Sequence, residues 1–178
     1  MKRIKLLDRE FELSIPFKEI DAAIEKIAHK MNRELADKDP LMICILNGSF
    51  MFAADLMKKL DFPCQISFVK LSSYEGTGTT GKVKELIGLT EDIEGRTIVI
   101  LEDIIDTGIT IEKILKQLKG YNPKDLQVAS MLFKPEACKA DIDVDYVGMD
   151  IPNDFIVGYG LDYDGYGRNL PDIYTVVE

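Results

Sequence analysis

Apolar runs too short for helices recur along the chain, and they limit its fold more than any other feature. LMICIL (41–46) is apolar at every position, and TIVIL (97–101) at all but its first. A strand with one wet face alternates; a strand apolar throughout is buried on both faces, as in a parallel sheet covered by helices. CQISFVK (64–70) and LQVASMLF (126–133) read as two more strands. Between them the period changes. Ile20, Ile24, Ile27, Met31 and Leu35 form one stripe at three-to-four spacing, which predicts a helix from 16 to about 36 with Pro16 in its first turn. His29 falls off that stripe and reads as a solvated surface residue. Phe52, Leu56, Met57 and Leu60 mark a helix at about 51–60. Ile111, Ile114, Leu115 and Leu118 mark another, stopped by Gly120 and Asn122-Pro123. Strands alternating with helices predict an α/β fold, a mostly parallel central sheet flanked by helices.

The 178 residues suit one domain, 1–178, and show neither an internal repeat nor a dividing linker. A net charge of −9 weighs against nucleic acid or an anionic membrane as partner. The opening MKRIKLLDREFELSIPF is charged throughout, unlike a signal peptide or a membrane span, so a cytoplasmic protein is expected. Cys44, Cys64 and Cys138 are widely spaced and read as reduced thiols, two of them in apolar, strand-like surroundings. With one histidine in the chain, no zinc cluster is expected.

The string VILEDIIDTGIT (99–110) breaks this apolar regime. Glu102 and Asp103 close a buried strand, Asp106 follows, and DTGIT opens a helix. Ligands of parallel α/β sheets gather at the carboxyl ends of strands. Acids crowded there repel one another and call for a compensating cation, sugar hydroxyls or solvent. A helix start offers unpaired N–H groups and partial positive charge. Gly108 permits close backbone approach, and Thr107 and Thr110 add hydroxyls. Vicinal hydroxyls plus a phosphate describe a ribose 5-phosphate. DTG also occurs in aspartic proteases, but those need two such aspartates in a β-rich fold, and this chain has one, before a helix. The stretch SSYEGTGTTGK (72–82), with three Gly and three Thr, reads either as a plain connection or as a mobile lid.

VILEDIIDTGIT resembles the phosphoribosyl-pyrophosphate binding motif of type I phosphoribosyltransferases. The likeness runs from about 40 to 171 and extends to the 6-oxopurine branch, the hypoxanthine or hypoxanthine-guanine phosphoribosyltransferases. It includes LNGSFMFAADL (46–56), SSYEG (72–76), EDIEGRTIVILEDIIDTG (91–108), LFKPEA (132–137), IPNDFIVGYGLDY (151–163) and RNLP (168–171). The resemblance implies transfer of 5-phosphoribosyl from phosphoribosyl pyrophosphate to N9 of a 6-oxopurine, giving IMP or GMP and pyrophosphate in purine salvage, with Mg2+ as cofactor. It implies that Glu102 and Asp103 accept from the ribose hydroxyls, with a metal-binding part as well, and that Asp106 is the catalytic acid/base at purine N7. Thr107, Gly108, Ile109 and Thr110 would hold the 5-phosphate. Leu46, Asn47 and Gly48 would form the pyrophosphate loop, where the family has a non-proline cis peptide. Lys134 would donate to the 6-oxo group, Phe155 stack on the purine, and Ile156 add backbone contacts. Asp162 would bind magnesium, Arg168 would meet pyrophosphate, and Ser73 and Tyr74 would close over the reaction.

The side chains suit these roles. Lysine only donates, so it fits an oxo acceptor and rejects a 6-amino group; hard oxygen ligands suit magnesium; the guanidinium fork fits phosphate. Asn47 departs from the basic residue the family often has there, and contributes no charge to pyrophosphate. Gly160, Gly165 and Gly167 suggest a loose approach to Arg168. The family also implies a small hood from about 1–15 and 150–178, and a homodimer or homotetramer. Two competing readings are a fold-alike regulator that senses phosphoribosyl pyrophosphate and binds RNA, and an enzyme preferring xanthine.

Overall fold

The structure is a computed structural model that describes residues 2–74 and 83–177, without the side chains of 72–74 and 83–87. Its larger sheet contains β3 (Leu41–Leu46), β4 (Gln65–Tyr74), β5 (Val83–Ile87), β6 (Thr97–Ile105), β7 (Asp125–Phe133) and β8 (Tyr146–Asp150). The order is β5-β4-β3-β6-β7-β8, with β4, β3, β6, β7 and β8 mutually parallel and β5 antiparallel to β4. Helices α1 (Phe17–Glu34), α2 (Phe50–Met57) and α3 (Ile109–Lys119) link the strands. α1 and α2 pack on one face with Met42, Cys44, Val99 and Leu101; α3 packs on the other with Ile43, Ile98 and Ile100. Side chains from both faces of β3 and β6 are therefore buried, as the uninterrupted apolar runs require. All five residues of the Ile20–Leu35 stripe are at most 2% exposed, each burial contributing about 1.5–3 kcal/mol.

A second, four-stranded antiparallel sheet has the order β1-β2-β10-β9, from β1 (Arg3–Leu6), β2 (Arg9–Ile15), β9 (Ile156–Val157) and β10 (Ile173–Val176). It joins the two ends of the described chain around a small core of Phe11, Val157 and Tyr174. Among the described residues, no helix is long and apolar enough to cross a membrane.

Several boundaries differ from the sequence expectation. β6 does not end at residue 101 but continues through Glu102 and Asp103 to Ile105, because β7 stays paired beside it as far as Ile105↔Phe133. α2 begins at Phe50 and ends at Met57, and β4 extends to Tyr74 through pairing with β5. His29 is exposed, facing Glu25 one helical turn away at 3.6 Å. The three cysteines are free, but only Cys44 is buried; Cys64 and Cys138 lie half-buried at the margins.

Candidate active site

The strand order creates the site. From β3 the chain crosses by α2 to β4 on one side; after β5 it returns to place β6 on the other. The strands are parallel, but the order in which they are added to the sheet reverses between β3 and β6, the position where open α/β sheets bind ligands. The two strands pair only as far as Cys44↔Leu101 and then part, leaving a crevice at their carboxyl ends.

Leu46, Asn47 and Gly48 line one side of it, and the Leu46–Asn47 peptide is cis, as the resemblance implies. Gly48 is buried against Asp103, whose carboxylate occupies the space a Cβ would need. Glu102 and Asp103 form the opposite wall. Glu102 is 7% exposed; its Oε1 accepts from the Asp103 N–H at 3.3 Å, and Asp103 Oδ1 accepts from the Ile104 N–H at 2.9 Å. Burial, with the neighbouring Asp103 charge added, pushes the Glu102 carboxyl well above its ordinary value. The pair thus favours a ligand bringing cationic charge or hydroxyl donors.

The third acid separates from these two. Asp106 is half-exposed and meets Lys134 Nζ at 3.3 Å. Lys134 itself is 6% exposed and follows β7, its backbone N–H bonded to the Ile105 carbonyl. Its ammonium also donates to the Asp154 carbonyl at 2.9 Å and to Asn153 Oδ1 at 3.3 Å. The carboxyl ends of β6, β7 and β8 thus converge on one buried cation. Asn153 was not singled out from sequence; its place inside the IPNDF string was the available signal.

Between these groups α3 begins. Its N-cap is Gly108, at φ 78°, with no side-chain cap bond, so the first-turn N–H groups are open to an anion. Thr107 therefore does not cap the helix; its carbonyl instead accepts from the N–H groups of Lys139 and Ala140. A Cβ at Gly108 would lie 2.9 Å from Ala140 Cβ and 3.0 Å from Cys138 Sγ, so the turn rests directly on the 134–142 segment. Ile109 and Thr110 form the exposed first turn.

The smaller sheet and the connection between β9 and β10 supply the remaining groups. Phe155, 44% exposed, lies 6.2 Å from the Phe11 ring and 5.9 Å edge-on from Tyr163. The Arg9 guanidinium lies 5.9 Å from Phe155 and 5.3 Å from Tyr163, a contact the sequence reading missed. Ile156 lies on β9, one of the two edge strands of that sheet. Asp162 and Arg168 are bound to each other, Oδ1 to Nη2 at 2.6 Å, while Arg168 Nη1 donates to the Gly160 carbonyl at 2.7 Å and Asp162 Oδ2 accepts from the Gly165 N–H. Arg168 is thus held, not loosely approached: Gly160, Gly165 and Gly167 adopt φ of 95°, 86° and 97° and form tight turns. Of the expected lid, 72–82, Ser72, Ser73 and Tyr74 end β4, and 75–82 lie outside the described residues.

Among the described residues, no three His, Cys, Asp or Glu side chains form a metal cage. Magnesium seldom needs one, since it is held by one or two carboxylates together with substrate oxygens. Glu102, Asp103 and Asp162 suit that mode.

An α/β crevice with acids on one wall and an open helix start beside it has the chemistry to hold a phosphorylated sugar. The phosphoribosyl transferase domain family matches residues 16–164, and the chain belongs to that family. A hypoxanthine-guanine phosphoribosyltransferase of Streptococcus agalactiae is 41% identical over 175 residues, covering 98% of this chain and 93% of the relative. One of Mycobacterium tuberculosis is 41% identical over 165 residues, covering 89% and 82%. The solved hypoxanthine phosphoribosyltransferase of Staphylococcus aureus superposes with a TM-score of 0.86 at 35% identity, covering 93% of this chain and 91% of that one.

Proposed function

We propose that this chain transfers the 5-phosphoribosyl group of phosphoribosyl pyrophosphate to N9 of hypoxanthine or guanine, giving IMP or GMP and pyrophosphate in purine salvage. The observation that carries the reading is that the Glu102–Asp103 pair, the open start of α3 and a buried lysine beside Asp106 all lie at the carboxyl ends of β6 and β7.

In this reading the ribose hydroxyls donate to Glu102 and Asp103, and the first-turn N–H groups of α3 with Thr107 and Thr110 bind the 5-phosphate. Lys134 turns part of its hydrogen bonding from Asp106 to the purine 6-oxo group, while Phe155 covers one purine face. N9 forms a bond to the sugar C1; the C1–oxygen bond breaks, and its electron pair leaves with pyrophosphate. Asp106, freed from Lys134, takes the proton that the base loses at N7. Arg168 and the N–H groups of the Leu46–Gly48 loop receive the departing pyrophosphate, with no charge from Asn47. Asp162 or the acidic pair would hold magnesium, which would supply positive charge to the phosphates.

A cytoplasmic homodimer or homotetramer is the setting we propose, with neither nucleic acid nor membrane as partner. The test is a panel of hypoxanthine, guanine, xanthine and adenine with phosphoribosyl pyrophosphate and magnesium, followed by nucleotide formation. Turnover of hypoxanthine or guanine is expected. Xanthine alone would move the assignment to the 2-oxo base, and no turnover together with salt-sensitive RNA binding would replace it with the regulator.

A further inference from the structure

Tyr159 has no part in the chemistry above, yet its placement is demanding. It is 2% exposed, and its backbone is left-handed at φ 49°, a conformation that bulky residues keep only where their surroundings enforce it. Its hydroxyl donates to Asp55 Oδ2 at 2.6 Å and approaches the Met51 carbonyl at 3.4 Å. Both acceptors lie on α2, the helix that starts directly after the Leu46–Gly48 loop. Asp55 is fixed in turn by Lys58 at 2.7 Å. The Tyr159 N–H donates to the Leu170 carbonyl.

The next residue carries the consequence. Gly160 packs so tightly on the Gly48 carbonyl that a Cβ there would overlap it. Gly160 also holds Arg168 twice: its N–H donates to the Arg168 carbonyl at 3.0 Å, and its carbonyl accepts from the Arg168 guanidinium. One residue thus touches both halves of the pyrophosphate site, the loop after β3 and the arginine in the connection between β9 and β10.

We propose that Tyr159 is a positioning residue for pyrophosphate: its bond to Asp55 pins the Tyr159–Gly160 segment to α2, and thereby fixes the distance between Arg168 and the Leu46–Gly48 loop. The role rests on the pyrophosphate assignment made under the proposed function. It matters here because Asn47 brings no charge, so the geometry of Arg168 and the loop N–H groups carries more of the anion binding.

The experiment is steady-state kinetics of Tyr159→Phe in both directions. Loss of a hydrogen bond to a charged group is expected to raise KM for phosphoribosyl pyrophosphate, and for pyrophosphate in the reverse reaction, about tenfold. KM for hypoxanthine is expected to stay within about twofold, since Lys134 and Phe155 are untouched. Asp55→Leu should reproduce that selective rise, Asp55→Asn, which keeps an acceptor, should largely avoid it, and Tyr159→Phe/Asp55→Leu should be no worse than Asp55→Leu alone. A lower melting temperature with unchanged KM values, or with all three KM values raised together, overturns the role. If Tyr159→Phe fails to fold, the contrast between Asp55→Asn and Asp55→Leu decides alone, and equal KM values in those two overturn it. A wild-type protein without turnover would refute the proposed function and this role with it; an active wild-type protein with unshifted variants refutes the role only.

Discussion

Replacing Lys134 by Met tests the base-recognition argument most directly. The ammonium is 6% exposed and donates to Asp154 O, Asn153 Oδ1 and Asp106 Oδ2. Methionine is nearly as long, unbranched and apolar, so the volume is kept and the donors are lost. A hydrogen bond from a charged group contributes about 1.5–3 kcal/mol, which corresponds to a fall in kcat/KM for hypoxanthine of about 10- to 150-fold. Adenine presents a donor where hypoxanthine presents an acceptor, so its kcat/KM should fall less and the discrimination between the two bases should shrink. The stability cost is expected to be smaller. Asp106 is half-exposed and returns to water, and the Asn153 amide can rotate, which leaves the Asp154 carbonyl as the group at risk, at about 1–3 kcal/mol. Removal of a buried charge offsets part of that. Initial rates at saturating phosphoribosyl pyrophosphate, with urea unfolding as the control for folding, give both quantities. A folded variant whose kcat/KM for hypoxanthine stays within about twofold of wild type refutes Lys134 as the 6-oxo donor.

Asp106→Asn is expected to lower kcat at least about tenfold, and near-normal turnover would remove Asp106 from proton transfer. Glu102 tests the acidic wall through pH. Its folded carboxyl is raised above the ordinary 4.5, first by burial and then by Asp103, so the stability it contributes is full below 4.5 and is lost as pH rises toward the folded value. Glu102→Gln stays neutral throughout; its urea midpoint relative to wild type should therefore rise from pH 4 to pH 7, and an equal difference at both pH values would contradict the assignment. Gly48→Ala places a methyl in the Asp103 carboxylate and is expected to cost about 1–3 kcal/mol on urea unfolding; an unchanged midpoint would show that the loop yields easily.

The elements legible from sequence are those whose burial is one-sided in helices or two-sided in strands. LMICIL and TIVIL, too short for helices, read as strands buried on both faces, and the Ile20–Leu35 stripe marks the inward face of α1. The smaller sheet was not legible from pattern. β1 spans four residues, RIKL, with alternate side chains only half-buried, and β9 spans two, so neither is long enough for a period to emerge. It entered only as a hood implied by resemblance. The end of β6 was misjudged for a related reason: charge at Glu102 and Asp103 reads as an exit from the sheet, whereas continued pairing with β7 keeps these acids on a strand.

The site divides along the same line. Contiguous residues such as Asp106 through Thr110 reveal a helix start from sequence, since their chemistry is local. The contacts that hold the site are long-range: Lys134 to Asn153, Tyr159 to Asp55 across 104 positions, Gly160 to Gly48. The first joins two neighbouring strand ends of the larger sheet; the other two join α2 and the loop before it to the segment after β9. Such pairs leave no local pattern, because what each residue needs is a partner whose position the strand order decides. The reversal between β3 and β6 opens the crevice; the segment after β9 then reaches back to it through Gly160. A phosphate-binding turn can therefore be read from one string, while the spacing between two anion-binding groups requires the whole topology.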